Sequence, residues 1–371
     1  MRFLHTADWH IGRKLAGYEL LADQQAIFDQ LVKVAKDQQV DAIVVAGDLY
    51  DRALPNEAAV TMVNQMLLTL NREIGLPTLV ISGNHDSAVR LGTGRDWFKS
   101  TDLFLNTQLD QAFAPVVLGN TQFFLLPYFE PFAARSYFDD DQLTNINLAM
   151  QPVIDKMVAA FDPTMKHVLV GHFFAAGSEH SDSETLVNVG GLDAVAVSDL
   201  APFDYVALGH LHNRHALNAD KIQYAGSLLK FSVSEAKQEK GAYIVDTDTM
   251  TREFVTLPPA HDVVHLTASF SELTDPAYYQ ALKRDDYIAV TLTDRQVIPN
   301  VMSQLREIYP QIVSLDRKNG VEVVQPLETV NADLDPMTLL GDFFEQSTGT
   351  GLTDQQRKWA QSTLAQAKEV D

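Results

Sequence analysis

The sequence predicts an α/β fold: mixed sheets flanked by helices, then a small α/β domain and a helical tail. Two observations carry this. Short apolar runs of strand length alternate with longer segments whose apolar residues recur at helical spacing. The turn and proline signals between them divide the chain into three parts.

The elements follow in order. Phe3-Leu4 opens the first strand, and Ile27, Phe28, Leu31, Val34 and Ala35 form one stripe of a helix over 20–36. DAIVVAGD is a short buried strand. A second helical stripe runs through Val60, Val63, Leu67 and Leu70, and Thr78–Ile81 is the next strand. Residues 115–127 form a hairpin turning at Gly119-Asn120. A helix near 148–161 leads to the strand HVLVGH, FDYVAL is another strand, and 242–245 and 253–257 close the set. Pro258-Pro259 marks a boundary. Beyond it, strands at 263–268, 287–292 and 312–317 alternate with helices at 277–283 and 299–308, a small α/β cap. Residues 320–335 read as a linker, with helices near 336–346 and 354–368. The expected domains are 1–258, 259–330 and 331–371.

The composition, 46% hydrophobic and 21% charged, suits a globular chain. There is no secretory pattern in MRFLHTADWH and no apolar run of membrane-spanning length, so a cytoplasmic protein without a membrane partner is expected. The absence of cysteine excludes disulfides and thiolate metal sites. The net charge of −21 argues against a broad nucleic-acid surface, since phosphate binding leaves a basic footprint. The acidity is spread, −13 in 1–260 and −4 in each of 261–330 and 331–371, so any DNA contact must be local, metal-mediated or shared with a partner.

Five segments place His, Asp or Asn at the carboxyl end of an expected strand: Asp8-Trp9-His10, Asp48 to Asp51, Asn84-His85-Asp86, His172, and His210-Leu211-His212. Ligand sites of open α/β sheets lie outside such ends. Imidazole, carboxylate and amide oxygen without thiolate suit Mn²⁺, Fe²⁺ or Zn²⁺. The inventory is large enough for two ions bridged by a carboxylate. Any one segment alone is more simply a cap or a turn; five in this order are not. His5 reads as core, His180 as part of a polar loop, and His167, His215, His261 and His265 as unpatterned.

The ordered set D-x-H, GD-x-x-D, GNHD, GH and GH-x-H resembles the calcineurin-like metallophosphoesterase superfamily. LHTADWHIGRK, ISGNHDSAVRL, YVALGHLHNRH and YAGSLLKFSVSEAKQEKGAYIVD are similar to segments of the SbcD family of DNA repair nuclease subunits. The resemblance implies a calcineurin-like sandwich. It implies one ion on Asp8, His10, Asp48 and His212, and another on Asp48, Asn84, His172 and His210. Asp48 would bridge, with His85 over the scissile phosphate. It further implies Mn²⁺-dependent exonuclease and endonuclease activity in double-strand-break repair, an SbcC-type ATPase partner, and a homodimer within a heterotetramer. By likeness to related phosphatases Asp51 would orient His85, with Asp86 as the alternative. Arg13, Lys14, Arg52, Arg90 and Arg95, near the motif loops, are the candidate DNA contacts. Leu339, Leu340, Phe343 and Phe344 are too apolar for a solvated helix, so the tail is expected either to dock a partner or to pack on the cap. A phosphoesterase acting on nucleotides or phosphoproteins, and a scaffold with a dead site, are the rival readings.

Overall fold

The computed structural model describes residues 1–179, 182–184, 194–318, 335–348 and 351–367. His180 and nearly all of the expected linker lie outside them. Residues 1–293 and 299–318 form one compact unit; 294–298 and 319–371 are assigned to a second. Among the described residues no helix is long and apolar enough to cross a membrane.

The first unit contains two main sheets. Six strands run edge to edge as Thr251–Thr256, Gly241–Asp246, Arg2–Thr6, Ala42–Ala46, Thr78–Ile81 and Leu103–Asn106. Five more run as Ile222–Tyr224, Tyr205–Gly209, Lys166–His172, Thr121–Leu125 and Val116–Leu118. The central strands are parallel within each sheet.

Because side chains alternate across a strand, each strand feeds two cores. Phe3, Val44, Leu79 and Ile81 meet Phe123, Val168, Val170 and Ala207 of the other sheet in a cluster between the sheets. The alternate residues Leu4, Ile43, Val45 and Val80 face helix residues Ile27, Phe28, Leu31, Val63 and Met66. On the far side, Phe124, Leu169, Val206 and Leu208 pack on Met150, Val153, Ile154 and Met157. The result is a helix–sheet–sheet–helix sandwich in which the strands are apolar on both faces, as buried parallel strands are.

The helices differ in detail from the sequence expectation. Leu21–Asp37 matches its stripe. The second helix, Glu57–Leu68 capped by the Asn56 side chain, buries Ala59, Val63, Met66 and Leu67, then widens into a π turn over Thr69–Glu73. Val60, expected on the buried stripe, is exposed, because the face is set by Ala59 and Val63.

The cap is a three-stranded parallel sheet, Val263–Ala268, Tyr287–Leu292 and Ile312–Arg317. Its expected first helix, 277–283, is a single turn, Pro276–Tyr279, preceded by a separate turn at Phe270–Leu273 that Pro276 cannot continue. The cap is tied to the sandwich through Asp23, which accepts from Tyr287 Oη at 2.8 Å and lies 2.7 Å from His261 Nδ1. The second unit holds the helices Pro336–Thr348 and Asp354–Ala367. Phe343 and Trp359 on them are exposed.

Candidate metal centre

Both sheets end their parallel strands at the same rim of the sandwich, and five strand-end segments converge there. After the Arg2–Thr6 strand the chain runs beside Gly47–Leu49: Asp8 N donates to the Gly47 carbonyl at 3.1 Å, His10 N to Asp48 at 3.0 Å, and Ile11 N to Leu49 at 2.9 Å. Trp9 is buried against Phe28, and Gln24 Nε2 donates to the His10 carbonyl at 2.8 Å, so the loop is held from the helix side. Asp8, His10, Asp48 and His210 all sit at positive φ, between 43° and 92°. Such backbone costs a non-glycine residue about 1–3 kcal/mol and concentrates at functional sites. Two glycines let the segments close up: a Cβ at Gly83 would lie 2.1 Å from Asp48 Oδ1, and one at Gly209 would lie 2.0 Å from the Ala46 carbonyl oxygen.

The side chains form two halves that share Asp48. In one, His10 Nε2 and His212 Nε2 are 3.1 Å apart, and Asp48 Oδ2 is 3.6 Å from His10 Nε2. Asp8, beneath them, accepts from His210 N at 2.9 Å through Oδ1. In the other, the Asn84 side-chain oxygen is 3.0 Å from both His172 Nε2 and His210 Nδ1, and Asp48 Oδ2 is 3.3 Å from His172 Nε2. The structure thus brings together all seven residues that the resemblance assigned to metal.

The electrostatics explain what such a pocket would hold. Burial, and then the charge of Asp48, push the Asp8 carboxyl up to about 7, although His172 and His212 oppose this. Burial also works against the charge on Asp48, yet His172, by charge and hydrogen bond, and then His10 and His85 hold it below the ordinary carboxylate range. Burial works against a charged His172 too, but Asp48 and Asp8 push it up to about 9. Burial lowers His10, and with His172 beside it lowers His210 to about 3. The pocket therefore favours positive charge between its carboxylates. Asp8 Oδ2 is buried with no hydrogen-bond partner among the described residues, a state that normally costs ~1–3 kcal/mol or more. A hard or borderline divalent cation fits this oxygen and nitrogen donor set.

His85 stands at the rim. Its N–H donates to Asp48 Oδ1 at 2.8 Å, and its ring is edge-on to His10 with centroids 4.8 Å apart. His85 Nδ1 lies 2.7 Å from the backbone carbonyl of Asp51. The Asp51 carboxylate instead meets Arg13 at 3.5 Å and Arg52 at 3.2 Å. Position 51 thus meets His85 through its main chain, while its carboxylate, paired with the two arginines, keeps an oxygen within 4.8 Å of ring nitrogens of His10 and His85. Asp86, the alternative, accepts from the amides of Leu49, Tyr50 and Gly83 at 2.9–3.2 Å and pins the second motif to the third.

The basic candidates are largely engaged. Arg13 stacks on Phe231 and donates to the Ser183 carbonyl at 2.7 Å. Lys14 pairs with Glu19, Arg90 donates to the Ala53 carbonyl and Arg95 to the Leu105 carbonyl.

Sequence reasoning misses Ser183, Glu184, Glu235 and Lys240. His212 N donates to Glu184 Oε1 at 2.6 Å, and Ser183 Oγ is 2.7 Å from His212 Nδ1. Burial works against the charge on Glu235, but Lys240 and then His212 hold it below its usual range. Both charges lie in the stretch YAGSLLKFSVSEAKQEKG. Its likeness to the family is visible in the sequence; the burial of its charges is not.

The family model described as calcineurin-like phosphoesterase matches residues 1–214. A second, described as type 5 capsule protein repressor C-terminal domain, matches residues 259–348. The chain is 34% identical over 318 residues to the SbcD subunit of the SbcCD nuclease of Staphylococcus epidermidis, covering 85% of each chain. It is 32% identical over 363 residues to the SbcD subunit of the SbcCD nuclease of Staphylococcus saprophyticus subsp. saprophyticus, covering 96% of each. With its motif residues gathered at one rim of a two-sheet sandwich, this chain belongs to the calcineurin-like phosphoesterases and, among them, to the SbcD family of SbcCD nuclease subunits.

Proposed function

We propose that the chain is a two-metal phosphodiesterase that cleaves DNA, most simply with Mn²⁺, acting with an SbcC-type ATPase in DNA end processing and double-strand-break repair. One observation carries this reading: Asp48 Oδ2 lies 3.6 Å from His10 Nε2 and 3.3 Å from His172 Nε2, so one carboxylate oxygen serves both halves of the pocket. Asp8, His10, Asp48 and His212 would hold one ion, and Asp48, Asn84, His172 and His210 the other. When bound, the pair supplies charge stabilisation at phosphorus and a water of lowered pKa.

The chain's own residues do the rest. Asp48 Oδ1 anchors the backbone of His85, which fixes the imidazole beside the pocket. The Asp51 carbonyl accepts from His85 Nδ1–H and holds the ring in place. His85 then gives its Nε2 proton to the leaving oxygen, a contribution of about 10²–10⁴-fold.

We assign 1–258 to the nuclease domain, 259–330 to a DNA-binding cap and 331–371 to partner docking. The exposed apolar residues Leu339, Leu340 and Phe343 support the last assignment. Exposed Leu54, Leu68, Val89 and Trp97 on the first domain support a homodimer, which with the ATPase makes a heterotetramer.

The test is Mn²⁺-dependent cleavage of linear and circular DNA by the full chain, with and without the ATPase and ATP. Cleavage abolished by Asp48→Asn and His85→Ala supports the reading. Deleting 331–371 should spare metal binding and abolish association with the ATPase. A second reading, a phosphatase of nucleotides or phosphoproteins, is favoured by the net charge of −21 and the engaged arginines. Turnover of a generic phosphomonoester with no cleavage of DNA would select it.

A further inference from the structure

One imidazole of the pocket is held from behind by a chain of side chains reaching into the interior. His212 Nδ1 is 2.7 Å from Ser183 Oγ, and the same hydroxyl makes a short hydrogen bond to Glu235 Oε1. Glu235 Oε2 is 2.5 Å from Lys240 Nζ. Lys240 also donates to the His212 carbonyl at 2.9 Å and to Ser227 Oγ at 2.9 Å, so both ends of the chain return to His212. Glu235 is 0% and Lys240 5% exposed.

The donor and acceptor inventory gives this chain a direction. An ammonium only donates, and the carboxylate it pairs with only accepts. The Ser183 hydroxyl has one proton, which goes to Glu235. It can then offer His212 only a lone pair. His212 must carry its proton on Nδ1, and its Nε2 lone pair faces His10 and the pocket. Reversed polarity would put an N–H where a ligand lone pair is needed. The other half reaches the same result without side chains, since His172 Nδ1 is 2.8 Å from the Ala46 carbonyl, which can only accept.

We infer that Ser183, Glu235 and Lys240 are positioning residues that set the tautomer and ring orientation of His212, and thereby the cation affinity of the half of the pocket that His10 and His212 share. The inference rests on the two-cation reading above. Partners that orient a ligating histidine are typically worth about 10–100-fold in metal affinity.

The experiment uses the full chain and two readouts: Mn²⁺ titration by calorimetry, and ¹⁵N NMR of the His212 ring in the metal-free protein. Wild type should show one His212 tautomer, protonated at Nδ1. Ser183→Ala removes the relay without stranding a charge. It should keep the wild-type fold by circular dichroism, weaken one of two Mn²⁺ sites about 10–100-fold, and mix the tautomers. Ser183→Thr, which restores a hydroxyl, should recover both. Glu235→Gln should mix the tautomers further, because its amide can also donate. An unchanged tautomer and two wild-type affinities in Ser183→Ala overturn the inference. A wild type that binds no Mn²⁺ overturns the two-cation reading instead, and the NMR of the metal-free chain still judges the relay.

Discussion

The two halves of the pocket each hold two imidazoles and share Asp48, but they are oriented by different materials. His172 is pinned by the main-chain carbonyl of Ala46, an anchor present wherever that strand forms. His212 is pinned by Ser183, with Glu235 and Lys240 behind it, from two segments remote in sequence. A main-chain anchor survives any substitution that preserves the strand. A side-chain anchor lasts only as long as three residue identities do. Two halves of one pocket, each with two imidazoles and the shared Asp48, can therefore differ in how easily mutation disables them.

The largest expected effect erases the comparison. Asp48→Asn removes the charge common to both halves and alters the oxygen that receives His85 N. Elemental analysis should find at least one ion lost per chain. Cleavage should fall by more than the ~10²–10³-fold typical of a single electrostatic contact. Two ions and a normal rate would remove Asp48 from the bridging role.

Next, His85→Ala leaves both halves intact. It should retain two Mn²⁺ per chain while cleavage drops about 10²–10⁴-fold. Loss of an ion in this variant would make His85 part of the cation site and not the acid.

Cation removal sharpens the contrast further. Mn²⁺ at a hundred times its dissociation constant should stabilise the fold by about 2.7 kcal/mol, read as a higher melting temperature that a chelator reverses. The gain should shrink in Ser183→Ala. Equal gains in the two proteins would mean that the side-chain anchor is as dispensable as it is remote.

The smallest effect concerns Asp51. Position 51 meets the His85 ring through its carbonyl, which Asp51→Asn keeps. Cleavage should stay within about tenfold of wild type, the scale of one ordinary hydrogen bond. A fall as deep as that of His85→Ala would return the orienting role to the carboxylate.

What the sequence can reveal follows from how local each feature is. The strand ends bearing Asp8, Asp48, Asn84, His172 and His210 are written in short apolar runs and glycines, and they are legible. The partition of strands between two sheets is not, since Phe3 meets Phe123 across the sandwich interior and no local pattern encodes that. Val60 departs from its expected burial because one residue of phase decides which face of a helix is covered. Asp51 is a neighbour of His85 as expected; that its backbone carbonyl also meets the ring is a detail motif spacing cannot give. Nothing in the sequence marks Glu235 and Lys240 as a buried pair; only the folded chain places them inside.

That buried pair also constrains how the protein can change over generations. Altering Glu235 or Lys240 alone leaves an uncompensated charge in the interior, a penalty of about 3–5 kcal/mol. The whole margin between folded and unfolded chains is commonly ~5–15 kcal/mol. A lineage stepping through either single change would cross a deep valley in fitness, whereas replacing both at once by apolar residues can be nearly neutral for folding. Such a double change would still cost His212 its fixed tautomer. Selection on stability alone would let the pair drift out together; its retention would be the signature of selection on the pocket.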